Sequence, residues 1–420
     1  MFVRILSIRV SQMSSRKIDS GAVAQPPSIK TMTAKHELGQ YFTTSVELKQ
    51  KVFEFILNRP AVILEPSIGQ GDLIEFISTR NPSIRFDMYE IDTSIPLLDA
   101  IIREQVVYGD FMTQSIHQSY HTIVGNPPYV RTTRGNLYID FIEKCYRLLC
   151  ENGELIFIVP SDFLKLTSAA PLLDEMMVHG SFTHIYHPHN ENLFEHASID
   201  VIVFRYCKNA QLEKKTQYNG KIMYANNTRG FVTFREEMAS GGSTFGEYFD
   251  VYVGLVSGKD EVYKNAELGN LSVLTGENKK EKFIHVEKYP CENERVNAYL
   301  LAHKPVLLER RIKKFTEKNW FEWGAPRNIS AMTKHLGEDC IYVYNLTRKS
   351  QIAFAGKVDY FGGSLIMLRP KKTCNIEAIV NYLNSHAFTQ NFMFSGRFKI
   401  GHRQIVNSYL PLVLSCECFA

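Results

Sequence analysis

The chain has no apolar run approaching bilayer-spanning length: its hydrophobic stretches are short and broken by charge, which excludes a membrane-embedded protein. Its eight cysteines include no Cys-x-x-Cys, only Cys416 and Cys418 near the tail. That removes the usual zinc spacings and a disulfide framework, and it fits a reducing, cytoplasmic compartment. There is no internal repeat and no low-complexity tract, so solenoid and linker-like architectures are excluded too. The opening "MFVRILSIRV" carries arginines inside its apolar run and no small-residue cleavage site close behind, which is not the pattern of a secretory signal; a transit peptide stays open. Residues 1–31 are expected to be a disordered extension, with Met32 as an alternative working start.

What is present is enough for one or two substantial cores: 420 residues, 45% of them hydrophobic, with two domains as the expectation. The net charge of +4 hides an asymmetry. Residues 1–204 hold 17 Lys and Arg against 23 Asp and Glu, whereas 205–420 hold 31 against 21. A net of −6 is followed by a net of +10, and a basic second half favours a polyanionic partner, nucleic acid above all, over a merely solvated surface.

From residue 61 the runs "AVILEPS", "RFDMYEID", "QVVYGD", "HTIVGNPP", "GELIFIVP" and "SIDVIVFRY" are short, apolar and β-branched, and they end in polar or turn residues. Helix-like stretches lie between several of them, such as "LYIDFIEKCYRLLCENG" with Gly153 as its expected stop. Strands alternating with helices predict an α/β fold with a doubly wound, mainly parallel sheet, whose ligands sit at the carboxyl ends of the strands. After Tyr206 the pattern fades through "KNAQLEKKTQYNG" and "MASGGSTFG", so a domain boundary is expected between about 208 and 245.

The strand ends carry the chemistry. "LEPSIGQGDLIEFI" gives Gly69 and Gly71, which let backbone approach a ligand at the start of a helix, although the third glycine of a dinucleotide fingerprint is missing. The second strand ends in Glu90, placed to accept both hydroxyls of a ribose. The third ends in Gly109-Asp110-Phe111, an acid and a ring suited to the amino edge and the face of an adenine. Each acid alone is an ordinary loop residue; in this order the three strand ends suit a nucleoside. The fourth ends in Asn126-Pro127-Pro128-Tyr129. Proline fixes its own backbone and the residue before it, so the Asn126 side chain and the Pro127 carbonyl become rigid acceptors for the two hydrogens of an exocyclic amino group. A nitrogen held in this way loses conjugation with its ring and becomes nucleophilic, while Tyr129 offers a stacking face.

With these motifs in this order the chain resembles the S-adenosylmethionine-dependent N6-adenine DNA methyltransferases of the gamma group, as found in type II restriction-modification systems. The likeness covers roughly residues 36–412, specific in the first half and diffuse in the second. It implies a class I methyltransferase fold: a catalytic domain over 32–240 binding S-adenosylmethionine, and an α+β target-recognition domain over 245–420. It also implies Gln40, Tyr41 and Thr43, from "HELGQYFTTSVELKQKV", together with Glu65, Ser67 and Gly69, around the methionine end of the cofactor. Thr44 stands where the family often has proline. By the same resemblance Glu90 meets the ribose, with Ile91 beside it in the cofactor site, Asp110 and Phe111 meet the adenine, and Asn126 belongs to both the cofactor site and catalysis, with Pro127 and Tyr129. Phe194, in "NENLFEHASIDVIVFRY", matches the aromatic that packs against a flipped-out target base.

The likeness continues weakly through "VGLVSGKDEVY" and through Ile379 to Leu412, where Arg397, Lys399, His402 and Arg403 form a cationic cluster beside Phe398 that suits phosphates or base edges as well as it suits solvent. The partners implied are double-stranded DNA in a bacterial or viral setting, and a restriction endonuclease of the same site specificity without stable association; no metal and no membrane are implied. Three alternatives stay open. A protein glutamine N5-methyltransferase and an RNA amino methyltransferase share the amino-group chemistry, and a non-catalytic DNA-binding protein shares the fold.

Overall fold

The computed structural model describes residues 41–411 apart from 134, 196 and 239–241, together with 414; the expected extension over 1–31 lies outside them. Ser45 opens the first helix, α1 (Val46–Glu54), by accepting the Leu48 amide, and Leu48 and Val52, one turn apart, turn the same face inward. Strands follow as β1 (Val62–Glu65), β2 (Arg85–Glu90), β3 (Val106–Tyr108) and β4 (Tyr120–Gly125), with helix α2 (Asp72–Arg80) between the first two. Helix α3 (Leu137–Leu148) leads into β5 (Leu149–Pro160); α4 (Ala170–His179) leads into β6 (Ser181–Tyr186) and β7 (Val201–Cys207). Three more strands, β8 (Lys215–Tyr218), β9 (Lys221–Thr228) and β10 (Phe231–Arg235), complete a sheet of order β10-β9-β8-β6-β7-β5-β4-β1-β2-β3. It is parallel from β3 through β5, and β7 enters antiparallel between β5 and β6. The α/β doubly wound reading holds, with a mixed extension at one edge in which β8 pairs with β6 in parallel and the other pairs are antiparallel.

Alternation along β5 shows why both faces need helices. Leu155, Phe157 and Val159 pack with Tyr138, Phe141 and Ile142 of α3 and with Leu172 and Met176 of α4. Ile156 and Ile158 pack on the other face with Leu48 and Val52 of α1 and with Leu73 and Ile77 of α2. A period of two along the strand feeds two separate cores, and each fully buried Leu, Ile or Phe contributes about 1.5–3 kcal/mol.

The helix expected to stop at Gly153 ends earlier, at Leu148. Leu149 already pairs with Tyr120, and the next register pair joins Glu154 to Thr122, with Asn152 between them at φ 61°. Gly153 sits in that bulge, where a Cβ would lie 2.8 Å from the Cys150 carbonyl and 3.0 Å from the Tyr120 carbonyl. Its small size serves strand packing and not helix termination.

From Gly242 onward the strands fall into smaller sheets. The largest is antiparallel, β11 (Phe249–Val253), β12 (Asp339–Tyr344), β13 (Ala353–Lys357) and β14 (Leu365–Pro370) in the order β11-β14-β12-β13. Ile341, Val343, Ile366 and Leu368 pack with Ile379 and Leu383 of helix α5 (Ile376–Asn384); Tyr342, Tyr344 and Met367 face a second core around Trp320 and Trp323. Among the described residues no helix is long and apolar enough to cross a membrane.

Candidate active site at the carboxyl ends of the central strands

β1 and β4 lie side by side, and the strand order runs outward from them in opposite directions. A crevice therefore opens at their carboxyl ends. β1 ends at Glu65 and β4 at Gly125, so close that a Cβ on Gly125 would lie 3.0 Å from the Glu65 carboxylate and 3.1 Å from the Phe157 ring. Asn126, the next residue, is held by its side chain: Nδ2 donates to the Tyr41 carbonyl at 2.7 Å and to Thr43 Oγ1 at 3.0 Å. With both donor hydrogens used, the amide cannot flip and Oδ1 is fixed as the acceptor.

That acceptor has a protein partner. The Tyr129 hydroxyl lies 2.6 Å from Asn126 Oδ1 and 3.0 Å from the Ile158 carbonyl, and its single hydrogen serves one of them at a time. Burial pushes the Tyr129 phenol well above its ordinary pKa, so the hydroxyl stays a donor at neutral pH. Around it stand two further rings, Tyr41 stacked at 5.5 Å with 27° between planes and Phe194 edge-on at 6.2 Å and 86°. Phe194 is 4% exposed and also touches Tyr41, at 6.0 Å between centroids. The Tyr129 and Phe194 rings thus stand nearly perpendicular and do not present parallel faces to one another.

Glu65 is buried, and its Oε2 has no hydrogen-bond partner. Burial and the nearby Glu90 charge push its pKa well up. Ser67 approaches both sides, its amide 3.4 Å from Glu65 Oε1 and its hydroxyl 3.5 Å from the Asn126 carbonyl. Glu90 accepts the Gly69 amide at 2.9 Å on one oxygen and the Asp92 amide at 2.9 Å on the other; burial raises its pKa while these amides lower it. Each oxygen keeps a second lone pair, so two hydroxyls can still be accepted. Gly69, at φ 57°, takes the left-handed turn, with the Phe42 ring where a side chain would reach. Ile91 is 53% exposed, an apolar patch beside Glu90.

Asp110 is exposed and caps a short 3-10 turn through the Met112 amide at 2.9 Å. Phe111 is 2% exposed, its ring stacked on Phe141 at 5.4 Å and edge-on to Tyr89. Lys144 fixes that turn by donating to the carbonyls of Phe111, Met112 and Gln114. Gln40 lies outside the described residues. The structure thus gathers Tyr41, Thr43, Ser67, Asn126, Tyr129 and Phe194 into one contact network, with Glu65 and Glu90 joined to it through Ser67 and Gly69.

The expected cationic cluster is arranged differently. Arg397 is paired with Glu191, His402 Nε2 lies 3.0 Å from the Val251 carbonyl, Arg403 donates to the Arg229 carbonyl at 2.9 Å, and Lys399 lies 5.6 Å from the Phe394 ring centre. Three of the four are committed to protein acceptors. Sequence reasoning also missed a buried centre at Asp200, which accepts from Ser161 and Ser395 and lies 2.8 Å from His187 Nε2. Its members come from three separate segments, around Ser161, from His187 to Asp200, and at Ser395, and no spacing announces them. Among the described residues no group of three or more His, Cys, Asp and Glu is placed to hold a metal ion.

Residues 91–194 match the Eco57I restriction-modification methylase family. The type II methyltransferase M.HincII of Haemophilus influenzae is 29% identical over 201 residues, 43% of this chain and 39% of that relative's length. M.TthHB8I, a type II methyltransferase of Thermus thermophilus, is 25% identical over 311 residues, 62% of this chain and 70% of that one. A solved DrdV–DNA complex aligns with 80% of this chain and 50% of its own at 10% identity and a TM-score of 0.48. The chain is thus similar to restriction-modification methyltransferases, while it spans well under half the length of the Haemophilus relative.

Proposed function

We propose that this chain is a site-specific DNA methyltransferase that transfers a methyl group from S-adenosylmethionine to N6 of a flipped-out adenine in double-stranded DNA, as part of or derived from a restriction-modification system. The observation that carries this is the Asn126 amide, locked by its nitrogen to Tyr41 and Thr43 so that only its oxygen is offered.

The residues fit the cofactor. Glu65 Oε2 is a buried acceptor without a donor, the kind of group that a cationic amino end satisfies. Glu90 retains two lone pairs for ribose hydroxyls, and exposed Ile91 offers an apolar face for a purine beside exposed Asp110. When bound, S-adenosylmethionine supplies a methyl group on a positively charged sulfur. The chain's own work is positioning. Asn126 Oδ1 and the Pro127 carbonyl accept the two amino hydrogens and draw the nitrogen lone pair out of the ring. Tyr129 yields Oδ1 and turns its hydroxyl to Ile158, 3.0 Å away. Tyr129 and Phe194 then stack on the base, each contact offsetting about 1–3 kcal/mol of the unstacking cost. Residues 245–420, which hold 24 Lys and Arg against 18 Asp and Glu, are assigned to target recognition.

The test is transfer of radiolabelled methyl from S-adenosylmethionine to unmodified duplex DNA of mixed sequence, followed by nucleoside analysis. Label in N6-methyladenine is the expected result, and mapping it gives the recognised site. Label in cytosine, in RNA or in protein alone would overturn the assigned substrate. A second expectation concerns the cofactor itself: Glu90→Ala should weaken S-adenosylmethionine binding about tenfold or more in calorimetry, since hydrogen bonds to a charged group are lost. An unchanged Kd would remove Glu90 from the site.

A further inference from the structure

The segment from His187 to Asp200 joins β6 to β7 and carries Phe194. It is closed on itself, with the Ile199 amide donating to the Glu191 carbonyl at 2.9 Å and Phe194 bridging to Ala197. Each end is also tied to the same distant element. At one end the Glu191 carboxylate pairs with Arg397; at the other the Ser395 hydroxyl donates to Asp200 Oδ1 at 2.6 Å. Asp200 is in turn fixed by Ser161, at the end of β5, and by His187, at the end of β6.

Ser395 and Arg397 belong to the hairpin Met393–Phe394 and Arg397–Lys399, which is built to hold still. Its second strand also pairs with Leu346–Thr347, and Phe392, Phe398 and Ile400 are buried in the core that contains Ile341 and Ile366. The hairpin turns on two residues with positive φ, Ser395 at 44° and Gly396 at 73°. This tight turn matches strand twist and favours glycine or asparagine. A serine there carries backbone strain, and what it gains is the hydroxyl on Asp200. The Arg397–Glu191 pair is partly solvent-exposed, so it contributes little to overall stability; its directional value is in fixing where the loop lies.

We propose that Ser395 and Arg397 are positioning residues: the hairpin grips both ends of the Phe194 loop and sets that ring against the everted base, linking the C-terminal half to base capture. This rests on the DNA methyltransferase function proposed above. A role of Arg397 as a phosphate contact alone makes a different prediction, because Glu191 would then be dispensable.

The experiment uses the full chain, S-adenosylmethionine and two duplexes of the mapped site, one matched and one with the target adenine mismatched; a third duplex carries 2-aminopurine at the target to report eversion. Glu191→Gln, Arg397→Gln and Ser395→Gly are each expected to lower kcat/KM on the matched duplex about tenfold, and to lower it less on the mismatched one, where eversion costs less. They should reduce 2-aminopurine emission and leave cofactor affinity unchanged. Ser395→Gly relieves the turn, so a deficit there reports the hydroxyl and not strain. The double variant Glu191→Arg with Arg397→Glu should recover most of the activity. Wild-type rates and emission in Glu191→Gln and Ser395→Gly, or an equal deficit on matched and mismatched DNA, would overturn the latch while leaving the methyltransferase function intact. Absence of any DNA methylation by the wild-type chain would overturn that function and the latch with it.

Discussion

Asn126→Ala is expected to lower single-turnover methyl transfer by about 10²–10³-fold, the usual scale for losing one preorganised transition-state hydrogen bond, while S-adenosylmethionine affinity changes by less than about tenfold. The asymmetry follows from what the side chain touches. Its nitrogen spends both hydrogens on Tyr41 and Thr43, at 2.7 and 3.0 Å, so its oxygen is the group available to a substrate amino hydrogen. Truncation removes the acceptor and frees the segment from Tyr41 to Thr43 as well. Tyr129→Phe is the informative companion. It keeps the ring and deletes the hydroxyl that lies 2.6 Å from Asn126 Oδ1, so it is expected to stay within about fivefold of wild type, since an intramolecular hydrogen bond is worth roughly 0.5–1.5 kcal/mol. Radiolabel transfer at saturating cofactor measures both variants. Near-normal turnover in Asn126→Ala would dispose of the amino-group clamp.

The largest expected effect on folding lies away from the crevice. Glu154, in the middle of β5, is 0% exposed and accepts from the Leu57 and Asn58 amides at 3.1 Å, from Thr122 Oγ1 at 2.9 Å and from Arg205 Nε at 2.7 Å. Arg205, on β7, also donates to Thr183 Oγ1 at 2.7 Å. One carboxylate thus joins β4, β5, β7 and the chain leaving α1. Arg205→Met leaves that carboxylate buried without its cation and is expected to cost about 3–5 kcal/mol in urea unfolding. Replacing both partners, Glu154→Leu with Arg205→Met, is expected to cost less than Arg205→Met alone, because no charge is then stranded. A loss under about 1 kcal/mol for the single variant would show that water reaches Glu154.

The six apolar runs from "AVILEPS" to "SIDVIVFRY" all became strands of the large sheet. Strands β1, β4, β5 and β7 are covered on both faces and are therefore apolar over most of their length, whereas β2 and β3, nearer the edge, are only partly buried. β6 and β8 to β10 were not read from sequence, and the reason is visible in β8. Only Thr216 of Lys215–Tyr218 is fully buried, and its hydroxyl is satisfied by the Phe182 carbonyl, so the strand carries no apolar signature. Gly153 was misread because a bulge glycine and a helix-stopping glycine look the same without the partner strand. The Asn-Pro-Pro-Tyr motif was legible because proline announces rigidity locally. Arg397 was legible only as a charge; its partner Glu191 lies 206 positions away, and no local pattern encodes such a pair.

That separation also orders events in time. The crevice at Glu65, Glu90 and Asn126 is built from residues between Tyr41 and Ile158, whereas the grip on Phe194 closes loops of 195 and 206 residues, to Ser395 and Arg397. Contacts so distant along the chain meet their loop-closure entropy before they return any stabilisation, and they form late. During synthesis the strands that line the crevice leave the ribosome well before the hairpin that holds the Phe194 loop. A nascent chain can therefore close the crevice around Asn126 before Ser395 and Arg397 fix the loop that carries Phe194.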